Sequence, residues 1–321
     1  MRLNLAVREA AHDDNLWACA WGNDNLIATG SLDERAKLWE FRRGEMDAEG
    51  GAEASCTCLH SLAGHTLGAV SVDIDPAGTQ LLTTSLDSHV RLFDITDPAA
   101  PTGRRVIELP PSQMWQARFA PRGGIFAVAG GSANSVSIFD TAKDDSTAPV
   151  ATLALSSDNE GPAKDRFALS VAFNQKGSKV VCGGMDGSVA VVDLQSGSVA
   201  ARLTGHKAPV RSVAWVPGSN NVLTASDDMH VHLYDAHNGS LLRAYTGHKS
   251  WVLCVDAHPE KKVFATGGAD GTVRLWDLQT EMCLQTVTGH TDHVWGVAWG
   301  RDGDRLCSAS DDGTLGLYSL V

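Results

Sequence analysis

The chain has 321 residues, 43% hydrophobic and 20% charged, the balance of a soluble globular protein with enough apolar material for a large core. No stretch approaches 18 consecutive apolar residues, so no membrane-spanning helix is expected, and Met1–Glu9, broken by Arg2, Arg8 and Glu9, is a poor signal peptide. A net charge of −12, from 26 basic against 38 acidic residues, disfavours direct nucleic-acid binding, which needs clustered Lys and Arg; Arg42-Arg43 and Arg104-Arg105 are isolated pairs that read as solvated loop charge.

In chain order, the apolar segment Leu3–Val7 comes first, and units of related pattern follow it. His12 leads to Trp39 in the first unit; Gly64-His65 leads to Phe93, 28 residues after the His, in the second. The third and fourth units lack the Gly-His pair and end at Phe139-Asp140 and Val192-Asp193. Gly205-His206, Gly247-His248 and Gly289-His290 then recur every 42 residues, leading to Tyr234, Trp276 and Tyr318. These are seven units, and a period in this range marks a repeat architecture. Each reads as four short strands. In the sixth, Val252–Asp256, Val263–Thr266, Thr272–Trp276 and Cys283–Val287 are separated by turns, among them Asp270-Gly271. A four-stranded sheet cannot bury both faces alone, but sheets stacked radially cover one another. The expected fold is therefore all-β, a single seven-bladed propeller over residues 1–321. The seventh unit runs out after its third strand, so Leu3–Val7 is expected to close the ring as its outer strand.

Five units carry a His, a Thr or Ser, an Asp and an aromatic: His12, Thr29, Asp33 and Trp39; His65, Thr83, Asp87 and Phe93; His206, Thr224, Asp228 and Tyr234; His248, Thr266, Asp270 and Trp276; His290, Ser308, Asp312 and Tyr318. One such set could be taken for a hydrolytic triad. A catalyst needs one nucleophile, one base and an oxyanion site, however, and five copies around a ring read instead as hydrogen-bonded braces. The third unit has Asn134 near the expected Asp, and the fourth keeps Asp186 but has Cys182 for the Thr. No phosphate loop, HExxH or paired CxxC occurs. The seven cysteines show no paired spacing beyond Cys56 and Cys58, a weak metal signal, and suit a reducing compartment. Neither a metal nor a cofactor is expected, and no catalysis.

Aligning the units places Trp17, Val70, Trp115, Leu169, Arg211, Leu253 and Trp295 at one position near the loops leading into the blades, with Trp251 two residues before Leu253. Either the tryptophans pack between blades or they form a binding rim. The residues before the turn Asp are Leu32, Leu86 and Met185 in units one, two and four, but Asp227 and Asp311 in units five and seven. This divides the rim into an apolar and an acidic arc, suited to a short peptide with a hydrophobic anchor and an Arg. The connections 42–54 and 156–166 are long and polar, and read as flexible excursions.

The stretches AHDDNLWACAW, TGSLDERAKLW, GHTLGAVSVDI, GHKSWVLCVDA and HTDHVWGVAW resemble the WD-repeat subunit shared by the superkiller (Ski) complex and the RNA polymerase II-associated factor (Paf) complex. PPSQMW and AVAGGSANSVSIFDTA are most similar to its plant and algal, vernalization-independence, branch. The resemblance implies a non-catalytic scaffold. In the cytoplasm its partners would be a helicase and a tetratricopeptide scaffold serving mRNA decay. In the nucleus they would be Paf subunits linked to transcription elongation and histone modification. It also implies a propeller face that grips Gln-Arg-containing segments ending in a hydrophobic residue. A second reading is a substrate receptor of a ubiquitin ligase, or a structural WD protein of another large assembly.

Overall fold

A computed structural model describes residues 1–23, 25–44, 54–110, 115–130, 135–143, 147–155 and 167–321. Asn134 and nearly all of the connections 42–54 and 156–166 lie outside these residues. Among the described residues the strands form seven antiparallel sheets of four, and no helix is long and apolar enough to cross a membrane. The innermost strands are Leu16–Trp21, Ala69–Ile74, Ala117–Phe119, Ala168–Phe173, Val210–Trp215, Val252–Ala257 and Val294–Trp299. They touch one another in a closed cycle, the seventh against the first, which makes the molecule a seven-bladed propeller.

The expected ring closure is present. Blade seven is built from Val294–Trp299, Arg305–Ser310, Thr314–Leu320 and, outermost, Leu3–Ala10. The register runs from Leu3 opposite Leu320 to Ala10 opposite Thr314. Arg2 and Val321 exchange two backbone hydrogen bonds of 2.7 and 2.8 Å. Gln285 of blade six holds the same strand from the side: its Oε1 accepts from Leu3 N at 2.6 Å and its Nε2 donates to Leu3 O at 2.9 Å.

Alternation along each strand sends side chains into the two gaps flanking its blade, so the core is a series of layers between blades. The layer at the seam joins Leu16, Ile27, Trp39 and Phe41 of blade one to Cys307, Leu315 and Leu317 of blade seven. Two departures from regular pairing repeat around the ring. The register slips at the second residue of the innermost strand, between Leu16 and Ala18, and likewise at Ala69/Ser71, Ala168/Ser170, Val210/Ser212, Val252/Cys254 and Val294/Gly296. The residues left over are Trp17, Val70, Leu169, Arg211, Leu253 and Trp295. The turn after the second strand also holds a left-handed residue directly after its Asp: Glu34, Ser88, Gly187, Met229, Gly271 and Gly313, with φ between 66° and 81°. Glycine takes that conformation freely, whereas Glu34, Ser88 and Met229 are held in it at a cost of about 1–3 kcal/mol each.

Removing residues 1–10 strips blade seven of its outer strand and uncovers the seam layer. The truncated chain is expected to melt roughly 10 °C or more below the full chain, a loss of several kcal/mol for a domain of this size. Calorimetry giving the same melting temperature for both would contradict a closing role for this strand.

Candidate functional site at the upper mouth of the channel

The loops leading into the innermost strands and the turns after the second strands meet at one end of the ring, and the braces hold them together. In blade six His248 Nδ1 lies 3.1 Å from both oxygens of Asp270, and its Nε2 lies 2.7 Å from Thr266 Oγ1. Trp276 Nε1 donates to the same hydroxyl oxygen at 2.8 Å. The Asp also accepts from Lys249 N at 2.9 Å, so one carboxylate ties the incoming loop to the turn. Blade one repeats this with His12, Thr29, Asp33 and Trp39, at 2.7 Å to Asp33, 2.8 Å to Thr29 and 2.8 Å from Trp39 to Thr29. The donors and acceptors fit one direction: indole N–H to hydroxyl oxygen, hydroxyl to Nε2, and Nδ1–H to carboxylate. In blade seven His290 meets Asp312 at 3.0 Å and Ser308 at 2.6 Å, and Tyr318 Oη stands 3.2 Å from Ser308.

Two blades differ from the sequence expectation. In blade five His206 reaches Asp228 at 2.8 Å and Thr224 at 2.7 Å, but Tyr234 turns away. Its hydroxyl donates to Thr204 O at 3.1 Å and meets His232 Nδ1 at 2.9 Å, because the His232 ring stacks on His206 with centroids 4.0 Å apart. In blade two the Arg91 guanidinium stands between His65 and Asp87, 2.7 Å from His65 Nδ1 and 3.1 Å from Asp87 Oδ2. An N–H aimed at Nδ1 forces the opposite tautomer, with Nε2–H donating to Thr83 at 2.8 Å. A further brace recurs in three blades. Ser31, Ser226 and Ser310 donate from Oγ to the carbonyls of Asp14, Ala208 and Asp292 in the incoming loops, at 3.1–3.3 Å. Their signal is the tripeptide Ser-Leu-Asp or Ser-Asp-Asp at 31–33, 85–87, 226–228 and 310–312.

The repeated bulge decides where the rim residues go. An extra residue in the innermost strand points off the pleat, and here it turns towards the axis. A channel of about 360 Å³ is lined at this level by Trp17, Val70, Trp115, Arg211, Leu253 and Trp295. Val70, Leu169 and Leu253 are buried, leaving the three indoles and Arg211 as its partly open groups. Trp17 stacks on Trp295 with centroids 4.9 Å apart and lies 6.1 Å from Trp115. Trp251 is 49% exposed, with Arg211 Cζ 5.9 Å from its ring centroid. Leu86 and Met185 are exposed at 42% and 43%, whereas Leu32 is half-buried beside Gly68.

The acidic arc is corrected by the geometry. Asp227 and Asp311 do face the mouth, but their side chains are only 8% and 9% exposed and both are already engaged. Arg211 Nε and Nη2 grip Asp227 at 2.8–3.1 Å. The two oxygens of Asp311 accept the indole N–H groups of Trp17 and Trp295, each at 2.9 Å. These carboxylates hold the aromatic surface in place instead of offering free charge to an incoming Arg.

Residues 6–40, 56–94, 239–277 and 281–319 match the WD domain, G-beta repeat family. The chain is a WD-repeat protein. Residues 116–250 of this WD-repeat chain match the nucleolar protein 10-like N-terminal domain family. Among curated proteins it is similar to the WD repeat-containing protein VIP3 of Arabidopsis thaliana, 39% identical over 67% of this chain and 64% of that one. It is also similar to the WD repeat-containing protein SL1-17 of Schistosoma mansoni, 30% identical over 69% of this chain and 66% of that one. A shorter match, 33% over 27% of this chain and 25% of the relative, is to superkiller complex protein 8 of Dictyostelium discoideum. The chain thus spans just under two thirds of the length of the first two relatives.

Two stability measurements test the braces. In Thr266→Val both the indole N–H of Trp276 and Nε2 of His248 lose their partner, whereas Thr83→Val leaves only Nε2 of His65 unpaired, since Phe93 carries no donor. At about 1–3 kcal/mol per orphaned buried group, urea unfolding should show roughly twice the loss for Thr266→Val; equal losses would contradict the network. The second concerns pH. Burial, then the Arg91 charge, lowers His65 to about 4, and burial, then His206, lowers His232 to about 4. Between 6.5 and 4 the unfolded chain binds these protons and the folded chain does not, so stability falls as pH drops through that window. Burial raises Asp87 and Asp312, but hydrogen bonds from Arg91 and Thr66 to the first, and from Thr314 and Thr291 to the second, outweigh it and hold both at about 2. A further loss therefore follows below pH 3.8. Unfolding midpoints that stay level from pH 7.5 to 4.5 would contradict the histidine contribution.

Proposed function

We propose that this WD-repeat propeller is a non-catalytic scaffold that holds short partner segments at its upper mouth, within assemblies of the superkiller and Paf kinds. The observation that carries the reading is the aromatic platform: Trp17 and Trp295 stacked, pinned by the shared carboxylate of Asp311 and flanked by Trp115. A surface whose side chains are already fixed by internal hydrogen bonds loses little entropy on binding, which favours recognition of a flexible peptide. The indole faces would take a guanidinium by stacking. Leu86, Met185 and Trp251 offer apolar contact to a hydrophobic residue a few positions along. A Gln-Arg-containing segment ending in a hydrophobic residue has these two features. The five His–Ser/Thr–Asp sets are consumed as braces, with both imidazole nitrogens engaged, which supports a role without catalysis.

The similarity to VIP3 and to superkiller complex protein 8 supports partners of two kinds: a tetratricopeptide scaffold with a helicase in the cytoplasm, and Paf subunits in the nucleus. Affinity capture of the full chain from native extract separates these readings. Helicase and tetratricopeptide proteins support the first, elongation factors the second. Recovery of cullin adaptors or axonemal proteins alone would replace both with a ubiquitin-ligase receptor or a structural role. For the mouth itself, Trp17→Ala and Trp295→Ala should each weaken a Gln-Arg-containing peptide at least about tenfold, the scale of a stacked anchor. Anisotropy titrations giving unchanged affinity in both variants would remove the mouth as the binding surface.

A further inference from the structure

The blade-seven corner of the mouth carries a group of side chains that neither the braces nor the aromatic platform fully uses. Asp292 and His293 sit on the loop leading into Val294–Trp299, and Asp311 on the turn after Arg305–Ser310. His293 Nδ1 stands 3.2 Å from Asp311 Oδ2 and 3.8 Å from Asp292 Oδ1, and one donor atom from each residue falls within 4.8 Å of the others. We propose that Asp292, His293 and Asp311 form a binding site for a divalent transition-metal ion of the zinc class. This inference stands apart from the peptide reading and does not rest on it.

Three features support it. Ligand bonds of about 2.0–2.2 Å around a tetrahedral ion place neighbouring donor atoms roughly 3.4 Å apart, so small side-chain adjustments complete the set. One imidazole nitrogen with two carboxylate oxygens favours zinc-like ions over calcium or magnesium, which prefer oxygen alone. The second feature is charge. The Asp311 carboxylate is largely buried, and among the described residues neither it nor Asp292 has a Lys or Arg partner, so two carboxylates face a single imidazole. The third is orientation: the indole N–H groups of Trp17 and Trp295 fix the Asp311 oxygens, as outer hydrogen bonds commonly do for a ligating carboxylate. His293 and Asp292 are 44% and 55% exposed by side chain, so an ion would be reached from solvent and keep an open position. The sequence showed no metal motif because the third ligand is 18 residues from the second and arrives only through the hairpin of blade seven.

The test is titration calorimetry of the chelator-stripped full chain with zinc chloride, with the visible spectrum of the cobalt(II) adduct as a second readout. Saturable binding of one equivalent and a tetrahedral cobalt spectrum are expected. His293→Ala and Asp292→Asn, two exposed changes that leave the circular dichroism unaltered, should each weaken zinc at least about tenfold. His237→Ala, at an exposed turn elsewhere, should change nothing. Absence of saturable binding, or equal zinc affinity in the Asp292→Asn/His293→Ala double variant, overturns the site. Peptide affinity measured in excess chelator reports on the platform separately.

Discussion

In five of the seven blades a buried imidazole is hydrogen-bonded at both nitrogens, to a hydroxyl of the second strand on one side and, on the other, to the Asp of the next turn in four blades and to Arg91 in blade two. This is costly to leave unmade and modest in net gain, as buried polar contacts generally are. Its value is geometric. It joins an incoming loop to a hairpin turn in each of these five blades. Six of the described turns hold a left-handed residue, and three of those are not glycine. The Asp that accepts from the imidazole also accepts from the backbone two residues beyond it, as Asp228 does from His230 N at 3.1 Å. The strained turn and the brace are one unit.

The circular layout turns this local unit into a global constraint. Each inter-blade layer is shared by two blades, and the strand Leu3–Ala10 forms the outer edge of blade seven. Inner-strand carboxylates add ties between neighbours: Asp73 Oδ2 accepts from Phe119 N of blade three at 2.7 Å, and Asp256 Oδ2 from Trp299 N of blade seven at 2.8 Å. Burial, only partly offset by these bonds, raises Asp256 to about 6. Towards the lower end of the seam Arg305 stacks on Trp21, 4.9 Å from its ring centroid, and binds Asp302 at 2.6 Å.

The mouth is shaped by one repeated irregularity. A bulge at one position of the innermost strand turns a residue towards the axis in blade after blade, and the choice of residue there sets the surface. Where it is aliphatic the side chain is buried; where it is Trp or Arg the tip stays open and its polar atom finds a neighbouring carboxylate. Asp227 and Asp311 thus act through Arg211, Trp17 and Trp295. The resulting platform presents indole faces, with the carboxylates of Asp227 and Asp311 engaged behind them.

Much of this was legible in the chain itself, because repetition is a property of sequence. The 42-residue period, the Asp-Gly turn and the unpaired Leu3–Val7 segment carry the blade number and the closing strand, and the His and hydroxyl offsets carry the His–hydroxyl contact of each brace. What the chain could not state were relations between residues far apart along it and joined only by the ring: Trp17 with Asp311, Arg91 displacing Asp87 from His65, Tyr234 yielding to His232, and Asp292 and His293 meeting Asp311. Side-chain partnership is decided by which atoms arrive within about 3 Å, and that depends on blade-to-blade rotation and on bulges that a periodic pattern averages away. The sequence therefore determined the architecture; tertiary structure alone decided which of its charged groups remain available.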